Sequence, residues 1–527
     1  MTWQYPHSRS WDLGIVVLDE PGESVVVAKQ VSIATFSSNY FTIDARSSGG
    51  QIVVAGTVAG TSPIGVGFQA GDSKFRISIE DTGQVRAIEG PAIRFDTNGH
   101  IVNHGLVAGG SSAISMDHAL SIASSITNSG TIEADQVGIF YRTAGGTLTT
   151  LNTGIISGGL MSYSSQGTKD IDLLTNSGRM IGDVFLGGGN DVYDGRLGSV
   201  DSVVDGEDGD DRLYAGDGNA TLIGGYGQDI LMGGIGADYL QGGTGWDVAS
   251  YESATAGVIV SLSNQSINTG DAEGDTLVLI EGLIGSRFDD TLEGGEFARR
   301  YFALDGGAGN DTLHGSGAAD TLIGGAGADI LDGGPGVAGF GDSDTASYAN
   351  AQTGVILSLA NPSINSGDAK GDTFIDIENF LGSRHGDTLN GDNAGNSLDG
   401  QDGNDNLKGY SGNDGLAGGK GNDNFIFNTK LDQTYNVDSI SDFKSVDDAI
   451  WLDNAVFSAL TATGILAASA FKDTANGAKD ADDRIIYNSD TGFLYYDADG
   501  SGAAFISVKF ARLQDDPVLT AADIVVI

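Results

Sequence analysis

Apolar residues recur every nine positions along much of the second half of the chain. From Gly206 to Ser250 the chain reads as five consecutive units of the form Gly-Gly-x-Gly-x-Asp-x-apolar-x. A second block of such units runs from 306 to 332, a third runs from 382 to 426, and a forerunner lies at 187–191. A glycine-rich turn followed by one apolar position predicts a short strand in every unit, with the apolar side chain directed inward. These inward positions are Leu213, Leu222, Leu231, Leu240, Leu389, Leu398, Leu407, Leu416 and Phe425.

The first third of the chain has a longer period. Asn-x-Gly or Asp-x-Gly turns place glycines at nearly constant intervals, at Gly83, Gly105, Gly130, Gly154 and Gly178. A short β-rich segment follows each of these turns in the sequence. A turn and a strand repeated at this interval predict a parallel β-solenoid. A β-sandwich with evenly spaced turns is the alternative interpretation of the same spacing.

A larger duplication separates the nonapeptide blocks. The segment 251–292 is repeated as 348–389, so that Tyr251 corresponds to Tyr348. Both copies contain Gly-Val-Ile-x-Ser-Leu, then Gly-Asp-Ala-x-Gly-Asp-Thr, then a hydrophobic strand. We interpret each copy as an insert between one block and the next.

Composition and charge narrow the classes of function. The 527 residues include 83 glycines but only 7 prolines, which is neither collagen-like nor typical of a Pro/Gly-rich linker. A formal net charge of −45 disfavours nucleic acid and anionic membrane surfaces as partners. The absence of cysteine excludes disulfides and thiolate metal sites. No apolar run approaches the roughly 20 residues of a transmembrane segment, and no conventional N-terminal signal peptide is visible.

The nonapeptide itself indicates a hard cation. Its glycines permit turn conformations that other residues avoid, and they leave main-chain carbonyl groups unshielded. The aspartate adds a carboxylate at the end of the turn. Oxygen ligands without nitrogen or sulfur suit calcium, which takes six to eight of them. Because one turn offers too few oxygens, two stacked turns would complete a site, and folding and binding would be one event.

The units at 206–250, 306–332 and 382–426 closely resemble the RTX, or hemolysin-type, nonapeptide repeat. The resemblance implies a right-handed parallel β-roll with two nonapeptides per coil and multiple Ca2+ ions along both edges. By position in the motif, it implies carboxylate ligands at Asp191, Asp211, Asp229, Asp238, Asp247, Asp311, Asp320, Asp329, Asp387, Asp405, Asp414 and Asp423. The turn glycines that it implies are Gly225, Gly227, Gly234, Gly236, Gly243, Gly245, Gly307, Gly309, Gly325, Gly327, Gly403, Gly412, Gly419 and Gly421. Ala220 and Asn396 stand where the motif has aspartate, and Ala318 replaces a glycine, so those sites are in doubt.

After Phe427 the repeats stop. The segments 438–443, 448–452, 483–488 and 494–500 form a set that is similar to the C-terminal domain of serralysin-type RTX proteins. That resemblance implies a domain that caps the β-roll and carries an uncleaved signal for a type I secretion exporter. Asp497-Ala498-Asp499-Gly500 has the wrong spacing for an EF-hand, and we predict a turn between two strands there.

The predicted fold class is therefore all-β, with a parallel β-solenoid followed by calcium-binding parallel β-rolls and a β-rich cap. The predicted domains are an N-terminal cap at 1–48, the solenoid at 49–183, the RTX region at 184–426 and the C-terminal domain at 427–527. Within the RTX region we expect roll blocks at 186–250, 306–332 and 382–426 and inserts at 251–292 and 348–389.

Two classes of function remain open at this level. The first is a secreted, structural, adhesive or surface-layer protein that contacts extracellular glycans or copies of itself. The second is a polysaccharide lyase or epimerase with its site on the solenoid. Such an enzyme needs a base near acidic groups, and the sequence shows no such cluster in 1–183. His100 and His104 lie on either side of a predicted turn, without the glutamate of a zinc-protease motif.

Overall fold

The computed structural model describes residues 16–18, 24–29, 31–35, 42–45, 50–66, 75–117, 123–295, 301–335, 343–474, 479–500, 506–515 and 517–527. Most of the predicted N-terminal cap, 1–48, lies outside the described residues. The chain divides into two compact units: Met1–Ala254 with Gln265–Gly282, and Thr255–Asn264 with Leu283–Ile527. The described residues contain strands and 3-10 helices but no α-helix. The fold is therefore all-β, as the sequence predicts.

The first unit is a stack of coils whose strands pair in parallel with the coils before and after them. One long sheet contains the strands Val16–Leu18, Ser32–Thr35, Ile43–Ala45, Thr57–Gly60, Ile64–Val66, Gln84–Ala87, Ile93–Phe95, Leu106–Gly109, Ser112–Asp117, Thr131–Ala134, Val137–Arg142, Ile155–Ser165, Arg179–Phe185, Ser199–Val200, Val203–Asp208, Thr221–Gly227, Tyr239–Gly245 and Thr276–Val278. The opposite wall contains Ser24–Val27, Gln51–Val54, Phe75–Ile79, Gly99–Asn103, Ser124–Asn128, Thr147–Asn152, Ile171–Asn176, Val192–Asp194, Arg212–Tyr214, Ile230–Met232 and Val248–Ser250. This arrangement confirms the parallel solenoid and excludes the sandwich alternative.

The coil length changes along the first unit. Thr147 pairs with Ile171 of the next coil, in agreement with the solenoid period predicted from the spacing of the turn glycines. The next coil is shorter, as the pairing of Leu173 with Val192 shows. Ile230 then pairs with Val248, the equivalent residue two repeats later, so each coil of the roll contains two nonapeptides.

The core of the solenoid and the core of the roll consist of inward-facing apolar residues at alternate strand positions. The strand Gly99–Asn103 shows this two-residue period, with Ile101 fully buried between half-buried neighbours. In the roll, Leu213, Leu222, Leu231 and Leu240 are fully buried, as predicted from their place in the nonapeptide. Each short strand therefore buries one large side chain per nonapeptide, which makes each roll coil a small core that depends on its neighbours.

Asparagines form a second, polar column inside the solenoid. Asn103, Asn128, Asn152 and Asn176 lie at the ends of successive strands and are at most 1% exposed. The side-chain amide of each donates to the side-chain oxygen of the next at 2.8 Å. These residues, which the sequence marks only as turn formers, are buried and hydrogen bonded, as interior polar groups must be.

The second unit repeats the parallel stacking. Its strands are Ile259–Ser261, Thr291–Glu293, Ala303–Asp305, Thr312–His314, Thr321–Ile323, Ile330–Asp332, Thr345–Ser347, Ile356–Ser358, Thr373–Ile375, Asn379–Leu381, Thr388–Asn390, Ser397–Asp399, Asn406–Lys408, Gly415–Ala417, Asn424–Phe427, Asp438–Ile440, Ala449–Leu452, Gly464–Ile465, Phe471–Asp473, Ile485–Asn488, Phe493–Tyr496, Val508–Leu513 and Ile524–Val526. A further strand spans Gly282–Ile284. Among the described residues, the 3-10 helices are Gln265–Ile267 and Gly270–Ala272 in the first unit, and Pro362–Ile364, Gly367–Ala369, Ala468–Ala470 and Ala521–Asp523 in the second.

The C-terminal segment continues the stack and then closes it with antiparallel pairs. The strand Asp438–Ile440 pairs in parallel with Gly415–Ala417 of the roll and with Val508–Leu513. The strands from Ile485 to Leu513 pair in antiparallel fashion, and residues 497–500 follow one of them, in the connection to the next. None of the helices in the described part of the chain is long and apolar enough to span a membrane.

Candidate calcium sites

The aspartates of the nonapeptide motif lie inside the turns, not on the surface. All twelve predicted carboxylate ligands are at most 2% exposed. Asp229 is representative, because its Oδ1 accepts the main-chain N–H of Asp211 in the preceding coil at 2.9 Å, and its own N–H donates to Asp247 Oδ1 at 3.0 Å. The carboxylates thus form ladders along the stack, in which each carboxylate accepts a hydrogen bond from a main-chain N–H of the preceding coil.

The second oxygen of most of these carboxylates is buried without a hydrogen-bond partner. Such Oδ2 atoms belong to Asp191, Asp211, Asp229, Asp238, Asp311, Asp329, Asp405, Asp414 and Asp423. A buried, unsatisfied carboxylate oxygen is costly, because its hydration is lost and nothing replaces it. The same buried oxygen recurs in register through both units, and a bound cation would supply the missing partner.

The glycines of the turns make room for this arrangement. A Cβ at Gly224, the first position of its unit, would lie 2.3 Å from Asp229 Oδ2, and one at Gly227 would lie 1.9 Å from Gly209 O in the preceding coil. The predicted turn glycines other than Gly236 and Gly327 have φ between 88° and 148°, which other residues rarely adopt. The first glycines were missing from the predicted set, although they pack directly against the carboxylates.

Burial makes these carboxylates weak acids in the absence of a cation. It raises the pKa of Asp211, Asp229 and Asp238 to about 7. Neighbouring carboxylates in the ladder add to the effect of burial, whereas the hydrogen bond from the main chain opposes it. A bound divalent cation would reverse this balance by favouring the charged form.

A second kind of turn satisfies its carboxylate with the protein's own donors. Asp387 Oδ2 accepts the Ser383 N–H at 2.6 Å and the Ser383 hydroxyl at 3.1 Å. Ser286 makes the corresponding bonds to Asp290, and the Ser316 N–H donates to Asp320 Oδ2.

Backbone conformation explains the difference between the two kinds of turn. The position that serine occupies here has a positive φ in turns of the first kind: φ is 118° at Gly225 and 122° at Gly243, and it is 70°, 72° and 71° at the non-glycine residues Glu207, Gln401 and Tyr410. A positive φ rotates the peptide group that precedes the residue, relative to its orientation at negative φ. Because the N–H and C=O of a trans peptide point in opposite directions, the turn then presents a carbonyl oxygen instead of an N–H. Turns with a positive φ at this position are therefore suited to a cation, and the turns with serine, whose φ is not positive, are not.

The units that depart from the motif keep their place in the ladders. Ala220 N–H donates to Asp238 Oδ1 at 2.7 Å, and Asn396 N–H donates to Asp414 Oδ1 at 2.8 Å. Asn396 Oδ1 accepts the Asp392 N–H at 2.8 Å. The amide therefore forms the internal bond that a carboxylate makes in the serine turns, and it brings no charge.

The ladders also contain carboxylates that the motif does not include. They are Asp172, Asp275, Glu281, Asp290, Asp344, Asp372, Glu378, Asp438 and Asp448. In the two duplicated segments, Tyr251 donates its hydroxyl to Asp275 Oδ2 at 2.9 Å and Tyr348 donates to Asp372 Oδ2 at 2.5 Å. Asp290 could have been predicted from the sequence, because it corresponds to the predicted ligand Asp387 in the second copy of the duplicated segment.

The donor set of each turn fits calcium only if main-chain oxygens contribute. Within the described residues, no three side chains of His, Cys, Asp or Glu converge on a position that could hold a metal ion. One carboxylate per turn and two adjacent turns provide two such side chains at most. The stacked carbonyl groups of the glycine turns supply further hard oxygen donors of the kind that calcium prefers.

The histidines of the solenoid have neighbours of another kind. His100 Nδ1 lies 2.6 Å from Ser125 Oγ, and His104 Nδ1 lies 2.6 Å from Ser129 Oγ, each in the following coil. Each histidine therefore has its own serine as a hydrogen-bond partner.

The comparison with protein families identifies the repeats. The RTX calcium-binding nonapeptide repeat matches four segments of the chain, at residues 201–222, 223–251, 305–337 and 386–425. These segments are the glycine–aspartate turns described above, and RTX repeats bind calcium ions. No curated protein matches the chain.

Proposed function

We propose, on the premise that the chain carries RTX calcium-binding repeats, that it is an exported protein whose nonapeptide region folds on calcium and which has a structural or adhesive role outside the cell. The observation that carries this proposal is the ladder of buried carboxylates with unpartnered Oδ2 atoms. The proposed carboxylate ligands are Asp191, Asp211, Asp229, Asp238, Asp247, Asp311, Asp329, Asp405, Asp414 and Asp423. Asp320 and Asp387 fall outside this proposed set, because Ser316 and Ser383 already donate to their Oδ2 atoms.

Calcium and folding are coupled in this proposal through charge. The chain has a formal net charge of −45, and the ladders bring many of its carboxylates together in a low-dielectric interior. Without a cation, that repulsion opposes the small apolar coils, and calcium binding contributes its free energy to folding directly. Far-UV circular dichroism in chelator and then in millimolar calcium tests this point. A strong β signal that chelator leaves unchanged would contradict the proposal.

Export is proposed to depend on the C-terminal domain. RTX repeat proteins are typically secreted, and residues 427–527 resemble the serralysin-type domain that carries a type I signal. In a host with a matching type I exporter, a chain lacking residues 468–527 should stay in the cytoplasm, whereas a chain lacking residues 75–183 should still be exported. Secretion of the first truncated chain would contradict this part of the proposal.

The solenoid is proposed to present a rigid surface to extended partners. Its parallel register places side chains in regular columns on the outer faces, as in the pair Thr149 and Leu173. Such columns suit contact with glycans or with other copies of the chain. Retention on glycan arrays, or filaments and lattices seen by electron microscopy in calcium, would support this role. Turnover of a uronate polymer, abolished by one substitution in 1–183, would support the lyase or epimerase alternative instead.

A further inference from the structure

The coil that joins the solenoid to the first nonapeptide turns contains a carboxylate in the ladder position, although it lacks the motif. Asp172 lies on the strand Ile171–Asn176 and is fully buried. Its main-chain N–H donates to Asp191 Oδ1 at 2.7 Å, just as the Asp191 N–H donates to Asp211 Oδ1 at 2.7 Å. The ladder of the roll therefore begins one coil earlier than the repeats do.

The column of main-chain oxygens extends into the same coil. A Cβ at Gly245 would lie 1.6 Å from Gly227 O, and a Cβ at Gly189 would lie 1.6 Å from the main-chain oxygen of Asp170. Asp170 thus presents its carbonyl oxygen where the motif places that of a glycine. A solenoid coil therefore continues the oxygen column of the calcium turns.

The carboxylate of Asp170 is engaged elsewhere. It accepts hydrogen bonds from the main-chain N–H groups of Thr143, Gly145 and Gly146 and from the Thr143 hydroxyl. These bonds satisfy a fully buried carboxylate and fix the turn of the preceding coil. Asp170 therefore offers its main-chain oxygen, not its side chain, to the junction.

The buried Oδ2 atoms of Asp172 and Asp191 lack a hydrogen-bond partner, and the Ser165 hydroxyl is close enough to the Asp172 carboxylate to stabilise its charged form. Each of these residues is at most 1% exposed. Asp172 Oδ1, in contrast, accepts the Tyr163 hydroxyl at 2.7 Å, which fixes the orientation of the carboxylate. Because the Asp172 N–H donates to Asp191 Oδ1 at 2.7 Å, the two residues are adjacent members of one ladder.

We propose that Asp172, Asp191 and Ser165 form an additional calcium site at the junction of solenoid and roll, with the main-chain oxygen of Asp170 as a further donor. All of these donors are hard oxygens, as calcium requires. The site lies before residue 201, where the first matched repeat begins. It deepens the proposed function, because it makes the last solenoid coil the template on which the first calcium turn is ordered.

Calcium stoichiometry of the full chain tests the site. Asp172→Asn keeps the side-chain shape and the acceptor for Tyr163 but removes the charge. By isothermal titration calorimetry it should bind one calcium ion fewer than the unaltered chain. Asp117→Asn is the matched control, because Asp117 is an exposed solenoid aspartate paired with Arg142 at 2.6 Å, and it should leave the count unchanged.

The outcomes separate this site from the proposed function. An equal count for Asp172→Asn and the unaltered chain would overturn the junction site alone, whereas a chain that binds no calcium would overturn the proposed function. If Asp172→Asn does not fold, terbium in place of calcium gives a second test. Tyrosine-excited terbium luminescence should fall in Tyr163→Phe but not in Tyr495→Phe, which lies in the C-terminal domain, and equal emission from both would overturn the site.

Discussion

Asp229 and Asp387 provide a paired test of which turns hold calcium. The Oδ1 atom of each accepts a main-chain N–H, from Asp211 at 2.9 Å and from Val355 at 2.7 Å respectively. The Oδ2 atoms differ, because that of Asp229 is buried without a partner whereas that of Asp387 accepts the Ser383 N–H at 2.6 Å. Asparagine at either position keeps Oδ1 and replaces Oδ2 with an amide group that can only donate.

Each substitution should lower the free energy of unfolding, but for a different reason. Asp229→Asn removes a calcium ligand, and loss of one site at calcium about 100-fold above its Kd lowers the free energy of unfolding by about 2.7 kcal/mol. Asp387→Asn places an N–H donor opposite the Ser383 N–H, and an unsatisfied buried donor costs about 1–3 kcal/mol. The first cost depends on the calcium concentration, whereas the second does not.

The assay is a calcium titration of both full-length variants, with bound ions counted by calorimetry and folding followed by far-UV circular dichroism. Asp229→Asn should bind fewer ions and require more calcium to fold. Asp387→Asn should bind as many ions as the unaltered chain, with a loss of stability toward urea in saturating calcium. The reasoning is refuted if Asp229→Asn keeps the full count, or if Asp387→Asn loses as many ions as Asp229→Asn.

Three further predictions follow from the same contacts. The metal-free fold holds Asp229 at a pKa of about 7, above its ordinary value, so its stability in chelator should fall as pH rises from about 4 through 7. Because protons stabilise the metal-free fold and the unfolded carboxylates are already ionised, the calcium concentration at the folding midpoint should be at least as high at pH of about 8 as at pH of about 6, and a lower midpoint at pH of about 8 would contradict this. Gly224→Ala should weaken calcium-dependent folding, because the new Cβ would lie 2.3 Å from the Asp229 carboxylate. Gly415→Ala is the control and should not weaken folding, because the atom nearest to its Cβ would be 3.9 Å away. Similar circular dichroism titrations for the two variants would count against the packing argument. Asn128→Ala should lower stability toward urea in saturating calcium by about 1–3 kcal/mol, because Asn152 loses a buried partner at 2.8 Å, and an unchanged urea midpoint would show that the ladder contributes little.

The strand positions were predictable from the sequence because turn chemistry and apolar period repeat together. Leu231 lies where the nonapeptide places an inward residue, and it is fully buried. The Asn-x-Gly turns marked the solenoid coils in the same way. The role of the asparagines was not predictable, because a turn-forming residue becomes a buried ladder only when the coils have equal length and stack in register.

The ladder carboxylates that lie outside the nonapeptide motif could not be predicted from that motif. Asp275 receives the Asp238 N–H across 37 residues, and its place is set by how the insert returns to the stack. The contrast between Ser383 and Gly225 depends on the sign of φ, which determines whether an N–H or a carbonyl faces the carboxylate. Asp172 has no glycine turn around it, so only its position in the three-dimensional ladder connects it with the calcium turns.

Hydrogen–deuterium exchange of the full chain, resolved by peptide in chelator and in millimolar calcium, tests the central claim most directly. The claim is that calcium binding and folding of residues 184–426 are one event. The amides of Asp211, Asp229 and Asp405 donate to the carboxylates of the next coil, so their protection reports the ladder itself. We predict that these peptides exchange freely in chelator and become protected together when calcium is added. Equal protection of residues 184–426 in chelator and in calcium would contradict the account.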